Sequence, residues 1–259
     1  MNKIHVSDLI LYEKSANFIL EFLEKNKIKN LEFFIEPLDK EYTQKMLEVL
    51  DNYCFESISF HGPFRRCNLA DLSKQSWEDT LYSYKKSFEI AQKYKPKFMV
   101  LHSNEGIPSR IIDEHLKDEI QKKIYYLVNL GKEYGIDVVI ENVGIKENMV
   151  FSQGEYEEII LKNNYKSLID IGHAHLNEWK IEELISKLKN NILGFHFHNN
   201  DSIYDTHNTL YCGDIDYDNI IDCIKFNAPN AVIVLEYDFS RDLNILLEDI
   251  KKLEDRLYY

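Results

Sequence analysis

The sequence predicts an α/β fold, a single (β/α)8 barrel over residues 1–259. Three observations carry it: eight short β-rich runs, longer amphipathic charged segments between them, and no Pro/Gly/Ser-rich linker anywhere. Strands that alternate with helices lie parallel, because parallel neighbours need a long crossover. Eight such units in 259 residues suit a closed barrel, which takes about 250.

Taken in order, "IHVS" (4–7) is the first run. It leads into "DLILYEK" and not into a glycine-rich phosphate loop, which counts against a dinucleotide-binding sheet. The helical stretch "SANFILEFLEKNK" leads to "LEFFIE" (31–36), and "SISFH" (57–61) is third. "SWEDTLYSYKKSFEIAQKY" separates it from "KFMVLH" (97–102). "DVVIEN" (137–142), "SLIDI" (167–171), "ILGFHFH" (192–198) and "AVIVLE" (231–236) complete the set. "IEELISKLKNN" precedes the seventh run, and a helix near 242–257 closes the chain. Tyr82, Tyr84, Phe88, Tyr125 and Tyr126 recur at helical spacing and read as packing.

Composition narrows the function. Hydrophobic residues make up 44%, enough for a sizeable core. Lys and Arg number 31 against 44 Asp and Glu, a net charge of −13. That balance works against nucleic acid as a partner, since such binding draws on phosphate neutralisation, although it leaves room for a small basic patch. Cys54, Cys67, Cys212 and Cys223 are scattered with no CxxC, and read as reduced thiols. No signal-like leader and no run of about 18 apolar residues occurs, so the expectation is a soluble, cytoplasmic protein with no membrane partner.

Polar residues gather where the runs end. Glu36, His61, His102, Glu141, Asp170, His196 and Glu236 stand at or near the last position of seven of the eight. In a barrel those ends meet at one face, where active sites are built. The densest stretch is "FHFHNNDSIYDTH" (195–207). Alternation puts His196 and His198 on one side of the strand and Phe195 and Phe197 on the other. The loop then carries Asp205 and His207 back over the mouth, both able to reach one metal if the loop is extended. In "LIDIGHAH", Asp170 ends a strand and His173 follows past a glycine that permits a turn.

These motifs resemble the xylose isomerase-like TIM barrel superfamily over essentially the whole chain. That group takes in sugar and sugar phosphate isomerases and epimerases, and the endonuclease IV group (AP endonuclease family 2). "HGPFRRCNLA", "VLHSNEG", "VIENVG", "IDIGHAH", "HFHNNDSIYDTHNTLYCGDIDY" and "VLEYD" resemble the motifs of its third to eighth strands. The resemblance to the isomerases implies one divalent metal on Glu141, Asp170, His196 and Glu236. Such an oxygen-rich set suits manganese, magnesium or cobalt, with zinc open to it through the histidine. Glu141 and Glu236 would be the catalytic pair, one taking a proton from carbon and the other returning it.

The resemblance to the endonuclease IV group implies three zinc ions. His61 and His102 would hold one with Glu141 as bridge. Asp170, His196, Glu236 and Glu141 would hold the second, and His173, Asp205 and His207 the third. The cofactor expectation is therefore one to three divalent ions, zinc or manganese. Two features weigh against the nuclease reading. Nine residues separate His196 from Asp205, as in the short isomerase-like form, and "DTH" stands where the nucleases carry Asp-Arg-His. Positive charges in the mouth loops are few: Arg65, Arg66, Arg110, Lys146 and Arg241.

The expected function is thus a metal-dependent sugar isomerase or epimerase acting on a small carbohydrate. A trinuclear zinc phosphodiesterase stands second, and a non-catalytic metabolite-binding barrel third. Glu36, Arg65, His198 and Trp179 are the candidates for gripping substrate. Duller readings stand beside some of these: His5, His115 and His198 as hydrogen-bonded histidines, His198 orienting a ligand, and Asp214 and Asp216 starting a helix.

Overall fold

Period-two alternation does here what it must in a closed sheet: it sends one parity under the helices and the other into the barrel. The computed structural model describes residues 2–258. Its strands are β1 (Lys3–Ser7), β2 (Asn30–Phe34), β3 (Ser57–His61), β4 (Met99–His102), β5 (Val138–Glu141), β6 (Lys166–Asp170), β7 (Ile192–Phe197) and β8 (Val232–Leu235). All pair in parallel and in sequence order, and β8 closes on β1. The helices are α1 (Ala16–Asn26), α2 (Lys40–Asn52), α3 (Lys74–Ala91), α4 (Glu114–Glu133), α5 (Gln153–Asn163), α6 (Ile171–Leu176), α7 (Ile181–Leu188), α8 (Tyr217–Asn227) and α9 (Leu243–Tyr258).

Side chains at loop ends start the helices. Ser15, Asp39, Ser73 and Asp113 accept from the backbone N–H of Phe18, Tyr42, Ser76 and Leu116. Each such cap contributes about 1 kcal/mol. Asp216 caps α8, as its position in "CGDIDYD" suggests. The outward parity, including Val6, Phe33, Phe60, Leu101, Ile140, Ile169, Phe195, Phe197 and Leu235, packs beneath the helices in the main apolar core.

The inward parity divides in two. Phe98, just ahead of β4, and Val100, Val139, Leu168, Val232 and Val234 on the strands from β4 to β8 form an apolar plug. On β1 to β3 the equivalent positions are polar: His5, Glu32, Ser57 and Ser59, all buried. Above them the inward parity of β3 to β8 ends in ionisable groups. Register fixes their height. His102 pairs with Glu141, and a shift between Ser167 and Leu168 brings Asp170 beside His196.

Two expectations change. Tyr84 and Phe88 are buried, but Tyr82, Tyr125 and Tyr126 face outward, because α3 and α4 need only one apolar stripe against the sheet. The second strand ends at Phe34, and the rim position there goes to that phenylalanine, which pairs with His61. Among the described residues no helix is long and apolar enough to cross a membrane.

Candidate metal centre

The site begins with two strand-end acids that have no Lys or Arg partner. Glu141 is buried at the end of β5, and its Oε2 is 3.0 Å from His102 Nε2 and 3.9 Å from His61 Nε2. Its Oε1 lies 3.2 Å from His173 Nδ1. Glu236, just past β8, lies 3.1 Å from His196 Nδ1. The same nitrogen is 3.7 Å from Glu141 and 3.7 Å from Asp170. Asp170 ends β6 and caps α6, accepting from His173 N–H at 2.6 Å. That cap aims the His173 ring at the cluster. Its Nε2 then meets Asp205 at 3.2 Å, and His207 Nε2 meets the same Asp205 oxygen at 3.2 Å.

The loop after β7 delivers Asp205 and His207 by turning, not by running extended. Asn199 and Asn208 exchange backbone hydrogen bonds across it, and His207 adopts a left-handed φ of 42°. The glycine before His173 also serves differently from expectation. Gly172 has no positive φ; its missing Cβ leaves room for His198, whose Cε1 would lie 2.0 Å from one. His198 Nε2 sits 3.1 Å from both Asp170 oxygens, so it steadies that carboxylate.

The electrostatics follow from packing acids and imidazoles together. Burial opposes charge on His102, but Glu141 and Glu105 overcome it and push it up to about 10. His207 rises to about 9 against the same penalty, through Asp205 and Glu236. His173 and His196 also stand well above the ordinary range, held up by their carboxylates against burial. His61 goes the other way, down to about 4, through burial and the neighbouring His102. Burial pushes Glu141 and Glu236 up, yet the imidazoles around them win and hold both well below the usual range. Protons on histidines thus supply the positive charge that these acids need.

A divalent cation fits the same residues. His173 Nδ1, His196 Nδ1 and Asp205 Oδ1 are buried and have no hydrogen-bond partner. His61 is held at Nδ1 by the Gly62 carbonyl, His102 at Nδ1 by Glu105, and His207 at Nδ1 by the Glu236 carbonyl. Each therefore turns Nε2 toward the cluster. Donor atoms about 2.1 Å from a tetrahedral ion stand about 3.4 Å apart. The 3.1–3.7 Å spread around His196 Nδ1 brackets that spacing. Five groupings among the described residues have donors within 4.8 Å of one another: Glu141–Asp170–His196, His61–His102–Glu141, His173–His198–Asp205–His207, and two that hold Glu236, Glu32–His196–Glu236 and Asp170–His198–Glu236. All nine metal-ligand candidates thus converge.

Seven of the nine, all but Asp170 and His196, line a cavity of about 330 Å³, at the small end of the range for ligand sites. Leu9, Phe34, Phe64, Val143 and Ile145 give it an apolar side, and Asn104 and Asn148 polar edges; no Lys or Arg is among its described lining residues. None of the four substrate-gripping candidates lines it; His198 is occupied with Asp170 instead. Glu36 accepts from the N–H of Phe64 and of Arg65 and so holds the loop after β3. Arg65 lies over the Tyr12 ring and bonds Tyr12 Oη and Asp39. Trp179 packs on Tyr156 of α5, at 5.7 Å between ring centres. Two contributors escape a reading of strand ends. Glu105 lies in the loop after β4. Glu32 sits inside β2, 2.8 Å from His196 Nε2, and its only signal is a charge at an inward position of an apolar run.

Known proteins bear on this geometry. The family model described as xylose isomerase-like TIM barrel matches residues 20–256. An uncharacterised protein of Methanocaldococcus jannaschii, MJ1614, is 26% identical over 241 residues, covering 93% of this chain and 94% of its own. A crystal structure named as a D-tagatose 3-epimerase-like protein superposes with a TM-score of 0.82 at 21% identity, covering 98% of this chain and 97% of the other. The IolI protein, described with a bound zinc atom, gives 0.80 at 18% identity, covering 98% of both chains.

Proposed function

This chain belongs to the xylose isomerase-like TIM barrel family, and from that premise we propose that it is a divalent-metal-dependent sugar isomerase or epimerase. The observation that carries the reading is the pair of buried carboxylates, Glu141 and Glu236, both facing His196 Nδ1 and both lining the cavity. Bound there, the cation would polarise a ketose carbonyl and its neighbouring hydroxyl. Glu141 and Glu236 are ionised in the neutral range, the state in which either accepts a proton from carbon. They come from β5 and β8 and so approach a substrate from different directions, which lets one remove the proton and the other return it.

The lining supports a small uncharged polyol. Phe34 and Phe64 offer faces to C–H bonds, Asn104 and Asn148 suit hydroxyls, and a phosphate would find no Lys or Arg among the described lining residues. The epimerase-like name of one structural neighbour points the same way. A second reading, a trinuclear zinc phosphodiesterase, draws on the two flanking donor groups, His61–His102–Glu141 and His173–His198–Asp205–His207.

Metal content of protein purified without added metal, a ketose panel in D2O, and an abasic-site duplex separate the two. The proposal expects ketose conversion with deuterium entering at carbon. Glu141→Gln and Glu236→Gln, with metal retained, should each lose about 10²–10⁴-fold in turnover. Three zinc ions per chain with duplex cleavage and an inert ketose panel would establish the phosphodiesterase instead.

A further inference from the structure

A buried polar chain runs down the inside of the barrel beneath the cation site, and the reaction proposed above makes no use of it. Ser59 Oγ donates to Glu32 Oε2 at 2.8 Å, which commits its single proton. Ser59 must then accept from His5 Nδ1 at 3.0 Å, leaving His5 Nε2 to accept from Ser57 Oγ at 3.0 Å. Burial pushes His5 down to about 3, helped by Lys3 and Lys97, so its ring is neutral and has the one N–H this sequence of bonds uses. At the upper end, Glu32 Oε1 lies 2.8 Å from His196 Nε2, and all five residues are buried. A carboxylate here carries the cost of leaving water, which a structural filler such as leucine would avoid. It stands at the ring nitrogen away from the carboxylate cluster.

We infer that Glu32, itself oriented by Ser59 and His5, is the positioning residue of the cation site: it takes the Nε2–H of His196 and leaves Nδ1 as the lone pair aimed at Glu141, Asp170 and Glu236. The inference rests on the metal-dependent reading above. Carboxylates in this role set both the tautomer and the ring orientation of a ligating histidine.

The test titrates zinc into the full chain against a competing chelator, with the melting temperature of each metal-free variant measured alongside. Glu32→Ala should weaken zinc binding by about 10–100-fold. Glu32→Gln keeps an acceptor oxygen for Nε2–H and should recover much of that loss; Ser59→Ala should show a smaller loss. In the zinc-loaded wild type, long-range ¹H–¹⁵N spectra should place the His196 proton on Nε2 and the metal on Nδ1. If Glu32→Ala does not fold, Glu32→Gln, Ser59→Ala and the spectrum decide. A wild type that binds no zinc overturns the metal-dependent reading and this inference with it. A wild type that binds, with folded variants that bind equally well or with His196 coordinated through Nε2, overturns the inference alone. Lower melting temperatures with unchanged zinc affinity would mark Glu32 as structural and overturn it equally.

Discussion

Replacing Gly172 by alanine tests whether the space beside Asp170 is as tight as the geometry requires. The new methyl would lie 2.0 Å from His198 Cε1 and 2.5 Å from Nε2. Ordinary carbon contacts lie at about 3.5–4.0 Å, so the ring must retreat by about 1.5 Å. It has little freedom to do so. The His207 ring is stacked on it at 3.9 Å between centres, nearly parallel, and Asp170 holds its Nε2. Overpacking of this kind costs about 1–3 kcal/mol, and a weakened hydrogen bond to a charged group about 1.5–3 more. A loss of about 3 kcal/mol in a domain of this size lowers the melting temperature by roughly 6–12 °C. Zinc affinity should fall in parallel, because Asp170 loses the partner that steadies it.

Gly154→Ala is the matched control. It sits in the first turn of α5 with nothing within 4 Å of its added methyl, and should gain roughly 0.5 kcal/mol and 1–2 °C. Thermal unfolding by circular dichroism and zinc titration read both variants. A Gly172→Ala protein that melts within a degree of wild type and binds zinc normally would refute the packing argument.

Cation affinity should rise with pH, because a metal must displace protons from His207 and His102, which titrate at about 9 and about 10. The expected slope is about tenfold per pH unit for each proton released, flattening above those values, and a flat chelator-competition profile from pH 6 to 9 would contradict it. Stability of the metal-free protein has the matching signs. The raised histidines contribute fully below about 6.5 and lose that contribution as pH climbs through 9 to 10. The depressed carboxylates contribute above about 4.5 and lose it as pH falls, so melting temperature should peak between about pH 5 and 8. Glu36→Ala leaves the N–H groups of Phe64 and Arg65 without their acceptor, which should cost about 2 kcal/mol and roughly 4–8 °C while zinc affinity stays put.

The barrel was legible in the sequence because alternation and length are local signals: each apolar run shows its own parity, and eight of them exhaust the chain. Glu141, Asp170, His196, Glu236, His61 and His102 were legible for a similar reason, since a polar residue closing an apolar run stands out; His173, Asp205 and His207 lie beyond the runs and drew on the family resemblance. Glu32 was not, because a charge two residues inside a run looks the same whether it faces solvent or a closed interior; only the ring of strands makes it inward. Arg65 and Trp179 depended on contacts far along the chain. Arg65 turns to Tyr12 and Trp179 to Tyr156, and neither partner can be read from its neighbours in sequence. Gly172 shows the converse: the residue type was visible, but the reason for it lies in a ring from another strand.

The join between the first and last strands has a consequence for how the molecule matures. Lys3 to Val6 pair with Val232 to Leu235, so the cylinder shuts only when its final strand slots between the seventh and the first. Glu236 rides just past that strand, and a nascent chain emerging without it presents three sides of the central pocket and lacks the fourth. On the metal-dependent reading, the groupings that include Glu236 would form only in finished molecules. An ion held there by Glu236 and His196 would fasten the seam, and prising the two ends of the chain apart would first require expelling it.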